Sequence, residues 1–214
     1  MEFNKCPELA EFLGILTGDG YMNEYQYGKR KYSIIDISGH SQRDNSYLTN
    51  HVSGLIKKLF KVSPLIIIRK DQNTMHLRLS SRDIFNLLLH SGFKKGKKGE
   101  IGIPEWVLKN KKFMRFFIRG FFDTDGCLCL KKKYRNYPYY PTISLSSISK
   151  TLMISINQYL ISKEFKTVFY SELKIDKRGY NPSKIFRIEL NGEKQLRKWK
   201  EVINSDNPKH KEKF

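Results

Sequence analysis

The chain's apolar positions fall into two spacings that alternate in a fixed order. Residues 12–20, FLGILTGDG, form an apolar, helix-like run that ends in Asp19-Gly20. Residues 35–41, IDISGHS, alternate as a half-buried strand does, and residues 44–60 return to helical spacing. Two strands follow at 65–70 and 74–80, joined by the polar turn DQN, and a helix over 81–90 closes the set. In TMHLRLS, Met75, Leu77 and Leu79 face one way while Thr74, His76, Arg78 and Ser80 face the other. That alternation predicts an antiparallel sheet with one apolar face on a helix-covered core and one polar, basic face exposed.

The same order then repeats. IRGFFDTDG, residues 118–126, superimposes on the first run at an offset of 106 residues, pairing Gly14 with Gly120, Gly18 with Thr124, Asp19 with Asp125 and Gly20 with Gly126. PTISLSS (141–147) matches IDISGHS, a helix is expected over 150–163, strands over 167–174 and 184–190, and a last helix over 193–204. The pattern predicts an α+β fold of two pseudo-symmetric αββαββα repeats. The copies occupy 1–92 and 112–207, with a Gly- and Lys-rich linker at 93–111 and a tail, 208–214, expected to fray.

Charge narrows the partner. There are 40 Lys+Arg against 21 Asp+Glu, a net charge of +19, and so large an excess calls for a polyanion. Nucleic acid is the first choice and an acidic membrane surface the competitor. Apolar runs are far shorter than the roughly 18 residues of a spanning helix, so no membrane partner is expected. The start, MEFNKCPELAEF, has no signal-peptide pattern, and three cysteines (Cys6, Cys127, Cys129) cannot all pair. An intracellular, non-secreted location follows, an archaeal cytoplasm or an organelle. A chain that starts at Met1 and ends in a charged tail is not expected to be an intein-embedded form. Cys/His pairs with zinc spacing are absent, and KKGKK (94–98) fails the phosphate-loop pattern. The run YRNYPYYP (134–141) reads better as a hairpin tip than as a base-stacking platform.

The two Asp-Gly pairs carry the chemistry. Gly14 and Gly18, four apart, lie on one helical face, as do Gly120 and Thr124. Such small-residue faces let two helices approach at backbone distance. Packed side by side about a pseudo-two-fold axis, the runs bring Asp19 and Asp125 together at two helix C-termini, which already carry negative partial charge. Asp-Gly is also an ordinary turn former. Two such acids, each behind a small-residue helix in a basic chain, fit better as ligands of a hard divalent ion, Mg²⁺ or Mn²⁺.

FLGILTGDG and IRGFFDTDG, set in the doubled αββαββα order, resemble the two motifs of a single-chain LAGLIDADG homing endonuclease. GIPEWVLKN and HSQRDNSYL add to the likeness, which spans nearly the whole chain. The resemblance implies a monomer that binds a long double-stranded DNA site with its sheets, as a saddle, and cuts both strands to leave short 3′ overhangs. It implies Asp19 and Asp125 as catalytic metal ligands, with the carbonyls of Gly18 and Thr124 beside the metals. It also implies basic or amide residues at the site, for which His40, Gln42, Lys98 and Lys150 are the candidates. The sixth motif position holds Thr17 in the first copy and the family's acid, Asp123, in the second. Polar-face residues available for base reading are Arg30, Asp36, Ser38, Arg69, His76 and Arg78, then Lys131, Lys133, Arg135, Thr142, Ser144, Lys174 and Arg187. Each serves equally as a solvated charge. The rival function is an RNA-binding maturase that assists splicing of its intron RNA.

Overall fold

The computed structural model describes residues 4–96, 98–131, 139–175 and 182–214. Helix α1 (Pro7–Asp19) starts on a proline, whose fixed φ and missing N–H suit a first turn. It is buried continuously from Leu9 to Gly18, so it is a core helix with no solvent face. Strands β1 (Gly20–Tyr27) and β2 (Arg30–His40) then pair as a hairpin. A π-helical turn, Tyr47–Val52, runs into α2 (Ser53–Phe60), three residues later than the spacing predicts. Strands β3 (Leu65–Arg69) and β4 (Thr74–Leu79) follow, then α3 (Arg82–His90), capped where the Ser81 hydroxyl accepts the Ile84 N–H.

After a short helix, α4 (Glu105–Leu108), the second copy repeats the order. It runs α5 (Lys111–Asp125), β5 (Cys127–Lys131), β6 (Tyr140–Ser147), α6 (Lys150–Ser162), β7 (Thr167–Lys174), β8 (Ser183–Asn191) and α7 (Glu193–Val202). The two antiparallel sheets have the orders β1-β2-β4-β3 and β5-β6-β8-β7, the same topology twice. Met22, Ile35, Ile37, Met75, Leu77 and Leu79 form the buried face of the first sheet, and Leu128, Ile143, Leu145, Ile188 and Leu190 that of the second.

The linker is packed: Phe93, Ile101, Ile103 and Val107 are buried, while Leu108 stays exposed. The Ser149 hydroxyl, which caps α6, also donates to the Ile101 carbonyl at 2.7 Å. Residues 208–214 correct the expectation of a frayed tail. Pro208–Lys211 form α8, capped by the Asn207 side chain, and His210 is buried against the Phe122 ring with centroids 4.4 Å apart.

The centre of the molecule is the α1–α5 crossing. A Cβ built on Gly14 would lie 2.1 Å from the Phe117 carbonyl oxygen, and one on Gly120 would lie 2.2 Å from the Glu11 carbonyl oxygen. The two glycines thus do the same work from opposite sides, letting each backbone enter the other helix's groove.

Candidate functional site

The crossing sets the site by placing both motif ends side by side. A Cβ on Gly18 would fall 2.1 Å from Thr124 Oγ1 and 3.4 Å from the Asp125 backbone nitrogen. Asp19 and Asp125, the last residues of α1 and α5, therefore follow directly on two abutting positions. Neither helix carries a basic residue in its last turn, so both negative ends and both carboxylates share one region. Gly20 and Gly126 then turn the chain into extended strands, each donating its N–H back to the helix, to Leu16 and Phe122. A Cβ at these glycines would meet Leu16 O at 2.4 Å and Phe122 O at 2.5 Å. Close approach, and not left-handed backbone, is what requires glycine after each acid.

Around this point the first copy contributes β2. The Ser38 hydroxyl lies 3.4 Å from the Asp19 carbonyl. His40 ends the strand; its Nδ1 accepts the Gln42 and Arg43 backbone N–H groups at 3.2 and 3.4 Å, which leaves the ring proton on Nε2. Its own backbone N–H donates to Asp44 Oδ2 at 3.0 Å. Lys98 falls in a single helical turn, Lys98–Glu100, in the linker. Lys150 is the exposed first residue of α6, at the position 106 residues after Asp44.

The C-terminal segment, absent from the sequence-based list, reaches the same place. Asn207 Nδ2 donates to the Asp123 carbonyl at 2.9 Å and to Asp44 Oδ1 at 3.3 Å. Lys209 Nζ donates to Asp44 Oδ1 at 3.1 Å and makes a longer contact, 3.5 Å, to the Thr124 carbonyl. The Thr124 oxygen expected beside a metal thus faces an ammonium group in this structure. An Asn-Pro pair before a charged stretch is a helix-start signature, and it was the one available signal for this docking.

Asp123 lies beneath the segment, fully buried. Its carboxylate accepts the Ser205 hydroxyl and the Asp206 N–H, the latter at 2.9 Å. Burial outweighs those two bonds and raises its pKa to about 7. Farther along α1, Glu11, His51 and Asp206 bring three donor atoms within 4.8 Å of one another. That cluster is not the Asp19 site, since eight residues of helix are about 12 Å. Arg119 pairs with Glu11 and, at 3.0 Å, with Asp206, so a cation already bridges the two carboxylates. Burial works against the charged His51 ring, but the 2.7 Å bond to Glu11 prevails and raises its pKa.

On the polar sheet faces the structure revises two expectations. Asp36 is buried, with Arg78 held to its Oδ2 by Nε at 2.9 Å and Nη2 at 2.5 Å, and His76 to its Oδ1 at 3.0 Å. The three act as one ion-paired unit, so Asp36 is not an open base reader. Thr142 is buried too, with its hydroxyl donated to Asn191 Oδ1 at 3.0 Å, because the neighbouring strand covers it. Ser144 sits between Cys127 and Glu189 across the second sheet, and Arg187 pairs with Glu172 at 2.6 Å. Arg30, Arg69, Lys131 and Lys174 are exposed strand-end positions. Lys133 and Arg135 lie outside the described residues.

His210 makes the docked segment sensitive to acid. Both ring nitrogens are buried without a hydrogen-bond partner among the described residues. Burial, reinforced by Lys209 and Lys213, lowers its pKa from 6.5 to about 3. As pH falls through that window the unfolded chain takes up a proton that the folded chain refuses, so stability present above pH 6.5 is progressively lost. At pH 5 the loss is about 2 kcal/mol. His210→Leu is expected to remove it, which urea unfolding at pH 7.5 and pH 5 would measure. Equal losses in both proteins would show that the ring protonates where it sits.

Residues 112–204 match the family described as the LAGLIDADG-like domain. That match covers the second repeat, and the doubled fold of the whole chain is shared with solved homing endonuclease structures. Among solved structures it is similar to the homing endonuclease I-DmoI in complex with DNA and Ca, with a TM-score of 0.65 and 18% identity over 95% of this chain and 94% of that one. It is also similar to the I-LtrWI LAGLIDADG homing endonuclease bound to target DNA, with a TM-score of 0.58 and 13% identity over 97% and 88%. Two of the curated relatives, each at 25% identity, have different names. One is the ribonucleoside-diphosphate reductase NrdEB subunit alpha of Bacillus subtilis (strain 168), matched over 86% of this chain. The other is the replication factor C small subunit of Methanocaldococcus jannaschii, matched over 94%. The chain spans only 17% and 10% of those two proteins.

Proposed function

We propose that this protein is a site-specific endonuclease that cuts both strands of a long double-stranded DNA target, acting inside the cell as a monomer. The observation that carries the reading is the meeting of Asp19 and Asp125 at two abutting helix C-termini. Two carboxylates and two negative helix ends in one place form an all-oxygen donor set, which suits a hard divalent cation. Asp19, Asp125 and the Gly18 carbonyl would hold Mg²⁺ or Mn²⁺. When bound, such an ion supplies Lewis-acid stabilisation of phosphate charge and a water of lowered pKa. The glycine crossing fixes the spacing of the two acids, and the exposed Lys and Arg at strand ends grip the DNA backbone. The I-DmoI and I-LtrWI structures bound to DNA support the same use of this fold. The two curated relatives have unrelated names and match this chain over only 17% and 10% of their own lengths, so neither reductase nor replication-factor activity is proposed.

The test is a cleavage selection on a randomised DNA library with Mg²⁺. A selected sequence cut on both strands, with short 3′ overhangs, is the expected result. Tight binding of a structured RNA with no DNA cut in any library member would overturn the reading in favour of a maturase.

A further inference from the structure

Two cysteines at the start of β5 have no role in the reading above. Cys127 and Cys129 flank Leu128, which is fully buried, so both thiols leave the strand on its other side. On the neighbouring strand they face Ser144 and Thr142. Their sulfurs are 3.1 Å apart, in direct contact, and Cys127 is exposed to solvent. Packing gives no reason for an exposed thiol to touch a second one. Burial raises the Cys127 thiol pKa, helped by Cys129 and opposed by Lys213 and Lys209, so the group rests as a thiol. The pair is therefore made by geometry and not by acidity. Only Gly126 separates it from Asp125, and that glycine is fixed, its N–H bonded to the Phe122 carbonyl at 2.9 Å. Strand β5 lies at the edge of its sheet, next to β6. Two residues of strand span about 6.6 Å between Cα atoms, just inside the range of about 4.4–6.8 Å that a disulfide bridges. An edge strand can shorten by the small amount that closure asks. Positions 21 and 23, 106 residues earlier, are Tyr21 and Asn23, so the dithiol belongs to one copy alone.

We propose that Cys127 and Cys129 are a redox modification site, and that closing them into a disulfide slows DNA cleavage. This rests on the endonuclease reading above. The oxidant is a small-molecule disulfide of the glutathione class. The thiolate of one cysteine attacks a sulfur of that disulfide, whose S–S bond breaks and whose first half leaves as a thiolate. The second cysteine then displaces the other half from the mixed disulfide. Two protein thiols are oxidised, the oxidant is reduced to two thiols, and the two protons pass from the cysteines to the departing thiolates. Closure draws residues 127 and 129 together along β5, and the pull passes through Gly126 to Asp125. A shift of about 1 Å at a reacting group costs about 100-fold in rate. Disulfides inside mesophilic cells are mostly transient and redox-sensing, and an exposed one is open to reduction. The modification is thus reversible.

The test treats the full chain with oxidised glutathione, then with dithiothreitol, and follows thiols and cleavage in parallel. Thiol titration should fall from three free cysteines to one, Cys6. Peptide mapping should find the 127–129 segment lighter by two hydrogen atoms. Single-turnover cleavage of the selected DNA target in Mg²⁺ should slow about 10- to 100-fold and recover on reduction. The double variant Cys127→Ser/Cys129→Ser should cut at the reduced wild-type rate before and after oxidant. Three free thiols after treatment, or glutathione adducts without the internal bond, would overturn the inference. So would a closed disulfide that leaves the rate unchanged. Each of these outcomes leaves the endonuclease reading intact. A fully reduced chain that cuts no DNA would overturn that reading and, with it, the control of cleavage inferred from the dithiol.

Discussion

Asp125→Asn is expected to give a protein that folds, binds its DNA target and fails to cut it on both strands. The substitution keeps the size and one side-chain oxygen but removes the charge that a divalent ion needs from a short list of donors. A loss of about three orders of magnitude in double-strand cleavage corresponds to about 4 kcal/mol of transition-state stabilisation. Asp19→Asn should do the same from the other helix. Stability should move the opposite way. A carboxylate at a helix C-terminus opposes the helix dipole, so removing it should leave the melting temperature unchanged or raise it by the equivalent of roughly 0.3–1 kcal/mol. Gel-shift affinity, thermal melting and plasmid cleavage on one preparation check all three parts. Full cleavage by either variant in Mg²⁺ would remove these acids from the chemistry.

The second large effect is Gly120→Ala, whose sign is unusual. In an exposed helix interior, alanine is better than glycine by about 1 kcal/mol. At Gly120 the new methyl would sit 2.2 Å from the Glu11 carbonyl oxygen and 3.0 Å from the Ile15 nitrogen, both backbone atoms of the facing helix. Backbone cannot rotate away as a side chain can, so the two helices must part. Overpacking of this kind costs about 1–3 kcal/mol, and the rigid partner puts Gly120 at the upper end. For a chain of this size, about 3 kcal/mol lowers the melting temperature by roughly 6–12 °C. Gly54→Ala is the control, since a Cβ there meets nothing within 4 Å and should stabilise α2. A stable Gly120→Ala would mean that the crossing tolerates separation. The same variant should also lose cleavage, because the spacing of Asp19 and Asp125 depends on that crossing.

The repeat was legible because its signals are periodic. Helical and alternating spacings, the offset of 106 residues and the small-residue faces of both motif helices do not depend on any distant contact. What escaped the pattern were groups whose role is set by partners far along the chain. Asp36 and Thr142 alternate correctly onto polar faces, yet period-two spacing cannot tell a strand's open side from one filled by a cross-strand Arg78 or Asn191. Glu11 reads as one acid within a helix, and only the fold reveals that it answers Arg119. Residues 208–214 look polar and terminal, and polarity alone suggested fraying. Their docking depends on one buried imidazole, one capping amide and one lysine, none of which forms a run.

The Asn207–Asp44 bond joins positions 163 residues apart, and Lys209–Asp44 joins positions 165 apart. Contacts of such high sequence separation form late, because their loop-closure entropy must be met before they return any energy. Each repeat can complete its own sheet from its own strands, but neither can finish the end of α5 alone. Folding is expected to end at the proposed site of chemistry, with the basic surface of each repeat formed before this corner of the site is closed. The order of assembly separates affinity for DNA from competence to act on it.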